Sequence, residues 1–540
     1  MAEVETILSN QADLHPLVRD YVYATLAADP ARRRRLHRAA AEWLEREVGR
    51  PAEAAYHYLR AGQLEAVGDV LTGQAEAINN RGRRMAVLPV VDEALALARR
   101  RGSGPDLVRR LLTIRGDLLV GTLRAAEAEA NYREALALPA PPVVRANIVW
   151  RLAQGLAQRG QAAESVQLCR ETRALIAPVD TLLLARLASI EAEALWTLSH
   201  FDEAIEVGGQ ALALADQLAS LTPSLADNIR ARVYHALSNV YFFRRVYKTA
   251  LEHSRQLIMT ARLAGLRTLE YAGLGILGAL MIEYVGQTDL GLFYLDQAEA
   301  GFDEIGYSYG LGNFLGFKAI AHYLRGETEL AEHTFSRVER ILREIGDFEG
   351  LAAYQTDRGF FLLELGQVAE ARALAERLLA EFKVGHENCW HTLYTTYLLG
   401  LAQMVDGDSE ALATLRQGAA LPSTHLDPSI EADLQTSLAL SLLSMGDIEG
   451  AQRTLDQAPL GDPGFWVELN RQCAEGALAL ARGDVAATLA IAAALAERAE
   501  AGSFQVYALR ARRLAAAAQD PPPPAAIPRL LWVSPPLAGE

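Results

Sequence analysis

The chain has 540 residues, 51% of them apolar but only 7% aromatic, with Ala and Leu outnumbering the β-branched Val, Ile and Thr. That composition favours helices throughout. Its formal charge is −15, from 52 basic and 67 acidic residues, which disfavours nucleic acid as the main partner.

Three distant cysteines, Cys169, Cys389 and Cys473, form no CxxC and read as reduced thiols. The first residues lack the order of a secretory leader. The longest uncharged apolar runs, Tyr271 to Ile282 and Val485 to Ala496, are 12 residues each, short of the ~20 that span a bilayer. A soluble cytoplasmic chain with no membrane contact is expected. Residues 1–120 carry 18 Arg and 16 acidic residues, so the acidity lies downstream. Arg32 to Arg35 and Arg99 to Arg101 read as solvated helix surface.

In chain order, Leu14-His15-Pro16-Leu17-Val18-Arg19-Asp20 comes first, followed by Arg35-Leu36-His37-Arg38-Ala39-Ala40-Ala41-Glu42-Trp43-Leu44. Next is Glu53-Ala54-Ala55-Tyr56-His57-Tyr58-Leu59-Arg60-Ala61-Gly62, with Pro51 suited to a first helical turn. This succession resembles the junction of MalT-like signal-transducing NTPases, between the winged-helix module and the helical sensor arm. The resemblance implies a junction remnant over 1–30 and junction helices over 31–102. It also implies an NTPase partner in cis or in trans. No GxxxxGK[ST] loop and no recognisable helix-turn-helix occurs in this chain, so it reads as a sensor arm without motor or DNA reader.

From residue 103 to 502 the sequence repeats. A small residue recurs at Gly116, Ala153, Ala192, Ser238, Ala279, Ala319, Gly359, Gly400, Ala439 and Gly476. A second recurs at Ala128, Ser165, Ala204, Ala250, Gly291, Ala331, Ala371, Ala411, Ala451 and Thr488. Between them lies a turn with Gly160, Gly286, Gly326, Gly366, Gly407, Gly446 or Gly483, where positive φ is cheap. Three copies put Ser199, Arg245 and Leu123 there instead. The spacing predicts about ten helical hairpins of period near 40, stacked so that each buries the next one's apolar face. Small residues midway along each helix let neighbouring axes approach. This pattern resembles the tetratricopeptide repeat (TPR), with longer helices than that family's 34-residue unit. The resemblance implies an all-α, TPR-like α-solenoid, a right-handed superhelix. A capping helix is expected at 503–518 and a loose or loosely docked Pro-rich tail at 519–540.

Three short motifs invite chemistry and are better explained by packing. Gly273-Leu-Gly275-Ile-Leu-Gly278 matches GxGxxG but lies inside a hairpin helix, not between a strand and a helix. Gly306-Tyr307-Ser308-Tyr309-Gly310 matches GxSxG but links two hairpins. His386, Cys389 and His391 lack a fourth zinc ligand nearby. No catalytic, cofactor or metal site is expected.

Of the 38 aromatics, 24 fall between Tyr234 and Tyr397. In the TPR superhelix, first helices line the concave face at fixed offsets from the small residue. Those offsets select Trp150, Arg186, Glu193, Trp196, Arg232, His235, Asn239, Glu283, Asn313 and Tyr323, with Gln154, Phe242, Leu280 and Ile320 among them. Aromatic faces beside Arg, Asn and Glu suit a peptide, a protein segment or a small polar ligand in a solvent-facing groove. The expected role is a non-enzymatic sensor arm. The alternative is a self-standing scaffold that binds a protein or assembles with itself.

Overall fold

The structure, a computed structural model, describes residues 29–176, 180–220, 222–381, 390–421, 428–459 and 464–532. The Leu14 to Asp20 segment, His386, Cys389 and the last eight residues lie outside the described residues. Among the described residues all regular structure is helical.

Five helices come first: α1 (Pro30–Arg46), α2 (Pro51–Ala61), α3 (Leu64–Leu71), α4 (Ala75–Asn80) and α5 (Arg84–Arg100). Pro30 and Pro51 open their helices, where a missing N–H costs nothing, and the Asp29 side chain accepts from Arg32 N at 2.9 Å.

Ten hairpins follow among the described residues. The first five are α6 (Pro105–Leu119) with α7 (Ala125–Ala137), α8 (Pro142–Ala157) with α9 (Ala162–Ile176), α10 (Thr181–Thr197) with α11 (Phe201–Ala219), α12 (Pro223–Phe243) with α13 (Tyr247–Ala264), and α14 (Arg267–Leu280) with α15 (Thr288–Ile305). The second five are α16 (Ser308–Leu324) with α17 (Thr328–Ile345), α18 (Phe348–Glu364) with α19 (Val368–Glu381), α20 (Trp390–Asp406) with α21 (Ala411–Ala419), α22 (Pro428–Ser444) with α23 (Ile448–Gln457), and α24 (Gly464–Ala481) with α25 (Val485–Ala501). The array closes with α26 (Gln505–Ala517) and the short α27 (Ile527–Trp532). The fold is an all-α, TPR-like solenoid.

The repeated small residues sit at close helix contacts. A Cβ on Gly400 would lie 2.6 Å from Leu415 of its own hairpin, and one on Gly116 would enter the Tyr132 ring. One on Gly359 would overlap Leu398 of the next hairpin. The GxGxxG glycines behave alike: Gly273 packs on Ile258, Gly275 on Phe314 and Gly278 on Leu295. Helix α14 and the turn after it, Arg267–Val285, are long and apolar enough by composition to cross a membrane, yet most of that surface is buried against neighbouring hairpins. Large side chains such as Tyr132, Phe302, Phe335, Phe361 and Phe504 are fully buried, each adding about 1.5–3 kcal/mol of apolar burial.

The turn glycines between paired helices take φ between 70° and 82°. Ser199 (φ 61°) and Arg245 (φ 56°) hold the same left-handed conformation without glycine's freedom, at about 1–2 kcal/mol each. The Leu123 assignment is corrected by the structure. In that hairpin the left-handed residue is Gly121 (φ 74°), two positions earlier, because α6 already ends at Leu119.

Residues far apart in sequence meet across successive turns of the superhelix. Tyr309 N donates to Gly121 O at 3.1 Å, and Gln158 Nε2 to the Tyr307 hydroxyl at 2.8 Å. Asn80 Nδ2 donates to Gly265 O at 2.6 Å, and Arg267 Nη1 to Asn80 O at 2.9 Å. Thr288 Oγ1 donates to Gly502 O at 2.6 Å. These pairs are separated by 149 to 214 residues, which is four to five hairpins per turn. The winding is tight enough that adjacent turns touch along a seam.

Two expectations change as a result. The concave face is not an open groove: the next turn partly covers it, and Glu193, Asn239 and Tyr323 are buried while the other seven candidates are half-buried. The described part of the tail, to Trp532, is not loose either. The Pro521 to Pro524 run leads into α27, whose Ile527, Leu531 and Trp532 are buried against α20, α22 and α26. Apolar residues at the uncovered end of the array give α27 a surface to bury.

Candidate functional site

Tight winding turns the inner face of the first helices into a partly enclosed channel with two adjoining chambers that share lining residues. The first, about 380 Å³, is lined by Trp150, Arg186, Glu193, Arg232, His235 and Asn239. The second, about 200 Å³, takes Glu283 and Tyr323. Trp196 and Asn313 line both chambers. Gln154 faces the first chamber, Ile320 the second and Phe242 both, whereas Leu280 is fully buried in the apolar core. Aromatic rings make the waist between them. Trp196 stacks on Phe243 at 5.3 Å, Phe242 meets Phe317 edge-on at 5.5 Å, and Phe317 meets Tyr354 at 6.1 Å.

The first chamber is dominated by guanidinium groups. Three surround one indole: Arg151, Arg186 and Arg232 lie 4.8, 5.0 and 5.7 Å from the Trp150 ring centre. Arg151 Nε reaches both Asp117 oxygens, at 2.8 and 2.9 Å. Burial works against its charge, and Asp117 more than offsets that. Arg232 has Glu76 at 3.6 Å and Asn228 Oδ1 at 3.2 Å. Arg186 has no carboxylate within ion-pair distance among the described residues. Burial, then repulsion from Arg151 and Arg232, pulls it down to about 10. Arg84, first residue of α5, also lines the chamber, is 4% exposed and is pulled to about 10 by burial. Its Nε and Nη1 have no partner among the described residues. Burial holds the Glu193 carboxyl up at about 7 and the His235 imidazole down at about 4.

The second chamber has the opposite character. Glu283 sits on a single π turn, Met281–Val285, that ends α14. Its carboxyl is raised by burial, as are those of Asp433 and of Asp357, the last pushed up to about 8. Asp347 caps α18 through Gly350 N at 2.9 Å and is held up at about 6. Arg245 reaches in from its strained turn, bonds the Tyr394 hydroxyl and lies 5.5 Å from that ring. At the far end the fully buried Arg510 pairs with Glu364 and stacks between Tyr507 (4.6 Å) and Trp532 (4.2 Å).

The offset six residues before the small position, which selected Arg186, Arg232 and Asn313, continues downstream. It lands on Tyr394, Asp433 and Asn470, all in the second chamber. Arg245 was also visible, as a charged residue where the repeat uses glycine. Arg84 and Tyr307 carried no repeat signal, because one belongs to the junction helices and the other to a link between hairpins.

The GxSxG stretch offers no nucleophile elbow: Gly306 (φ 63°) ends α15 in the left-handed region and Ser308 opens α16. His391 lines the second chamber. Among the described residues no group of three His, Cys, Asp or Glu could hold a metal ion.

No family model matches the chain, and no curated protein is detectably similar. Solved structures are. A Rap protein complexed with competence and sporulation factor aligns over 65% of this chain and 96% of its own, at 14% identity and TM-score 0.49. A Pyrococcus horikoshii STAND (signal transduction ATPase with numerous domains) protein with a tetratricopeptide repeat sensor aligns over 75% of this chain, at 13% identity and TM-score 0.35. This chain spans 54% of that one. The Cut9–Hcn1 hetero-tetramer of the APC/C aligns over 96% and 98%, at 16% identity and TM-score 0.43. What makes this chain a TPR-like solenoid is the ten in-phase hairpins of its described residues, wound until their inner faces partly enclose a channel.

Proposed function

We propose that the chain is a non-enzymatic, cytoplasmic binding arm that takes a small polar ligand or a short peptide into its internal channel. One observation carries the reading: polar and charged side chains are concentrated on a partly enclosed inner surface. A structural core minimises buried charge, so Arg84 and Glu193, buried on this wall without an ion pair among the described residues, point to an occupant. We further propose that binding is reported to an NTPase module through the N-terminal helices. The order of motifs over residues 14–62 supports this part, and so does the seam, which ties those helices through Asn80 to Gly265 at the end of the fourth hairpin and to Arg267 at the start of the fifth.

The test is a thermal-shift and native mass spectrometry survey of short peptides and small polar metabolites against the purified chain. A ligand of the channel binds the wild type and is lost in Gln154→Trp, which fills the first chamber without touching an ion pair. Ligands that bind both proteins equally would place the site outside the channel and sink the proposal.

A further inference from the structure

Four guanidinium groups line the first chamber: Arg84, Arg151, Arg186 and Arg232. Two have carboxylates committed to them, Arg151 to Asp117 and Arg232, more loosely, to Glu76. Glu193, the remaining acid on the wall, makes no ion pair among the described residues. Arg84, buried, and Arg186, half-buried, are therefore the two cations of this wall with no carboxylate within ion-pair distance among the described residues; Glu76 and Asp180 act on Arg186 only from further away. Such a group costs several kcal/mol when nothing compensates it. Arginine also presents a planar fork of donors that matches the oxygens of carboxylates and phosphates.

Resting on the reading of the channel as a ligand site, we propose that the first chamber binds a small organic dianion, of the phosphate-ester or dicarboxylate class, held between Arg84 and Arg186. Two guanidinium groups without an ion-pair partner set the ligand's charge at about −2. The volume, about 380 Å³, sets its size near that of a small metabolite. Arg84 enters from the junction helix α5, whereas Arg186 and Arg232 enter from hairpins α10–α11 and α12–α13. An anion between them bridges the junction helices and the repeats. The aromatic waist of Trp196 and Phe243 then meets whatever apolar or ring portion the ligand carries. Glu193 and His235 stand by as polar partners for its neutral groups.

The experiment is calorimetric titration of the full chain with inorganic pyrophosphate, with succinate and with a neutral dipeptide amide, at low and at physiological salt. Saturable, salt-weakened binding of pyrophosphate favours the phosphate class, and of succinate the dicarboxylate class. Either binding should weaken about tenfold or more in Arg84→Gln and in Arg186→Gln, and stay unchanged in Arg512→Gln, on the exposed face of α26. Melting curves of the ligand-free variants verify that each is folded. Anion binding that is equal in wild type and variants overturns the assignment by placing the anion elsewhere. If neither anion binds but the neutral dipeptide does, and Gln154→Trp excludes it, the dianion falls and the channel stands. If none of the three binds and the survey of peptides and metabolites is also empty, both fall.

Discussion

Replacing Arg84 by Met should make the ligand-free protein more stable. Arg84 is 4% exposed and has no ion-pair partner among the described residues. Burial lowers its pKa from the ordinary 12.5 to about 10, which at about 1.4 kcal/mol per unit is a penalty of roughly 3 kcal/mol on the charged form. The sign is fixed: a cation with a lowered pKa destabilises the fold at every pH below 10, and the penalty is present in full at pH 7. Methionine keeps the apolar stem and removes the charge, so part of the gain is retained after imperfect repacking. The expected stabilisation is about 1–3 kcal/mol. Urea unfolding at pH 7.5 reads it as a higher midpoint at unchanged slope. The ranking should reverse with millimolar pyrophosphate, which stabilises wild type by mass action and leaves Arg84→Met where it was. A variant less stable than wild type by 1 kcal/mol or more, without ligand, would mean that Arg84 is a structural group and not an unmatched charge.

Two further outcomes follow from the second chamber and the hairpin contacts. Burial, then the neighbouring Glu283, pushes Asp357 up to about 8, and burial pushes Glu193 up to about 7. A carboxyl raised in the fold stabilises it at pH below the unfolded value and loses that contribution as pH rises to the folded one. Between pH 6.5 and 8.5, above the range where His57 and His235 respond, the melting temperature should therefore fall. Asp357→Asn should flatten that slope, and an identical slope in the variant would refute the attribution. Gly359→Leu should destabilise by about 1–3 kcal/mol through overpacking on Leu398. Hydrogen exchange should rise first in hairpins α18–α19 and α20–α21; unchanged exchange there would count against the contact.

The hairpin array was legible because each unit repeats the same local demands in phase. Gly359, Gly366 and Ala371 state a close contact, a turn and a second contact within thirteen residues. The winding was not legible, because it sums small rotations over four or five hairpins, none of which is written in any one segment. That is why the inner residues were expected in open solvent. Their identity survived the error, since an offset from Ala192 or Ser238 fixes which way Arg186 or Arg232 points whether the groove is open or shut. Residues delivered by the seam had no such guide: Tyr307 meets Gln158 only because two turns touch. The tail misled for a related reason. Four prolines read as a loose or loosely docked tail, and the apolar end that Trp532 covers exists only once the array has formed.

The seam also changes what kind of object the solenoid is. In an open repeat array each unit knows only its two neighbours, so ends fray and the middle holds. Here Thr288 is bonded to Gly502 and Gly121 to Tyr309, so hairpins along the seam have a neighbour in the adjacent turn as well as before and after. Connectivity of that kind behaves like a sheet of coupled units, and its loss is closer to all-or-none. A perturbation in the second hairpin is felt in the sixth without passing through the third, fourth and fifth.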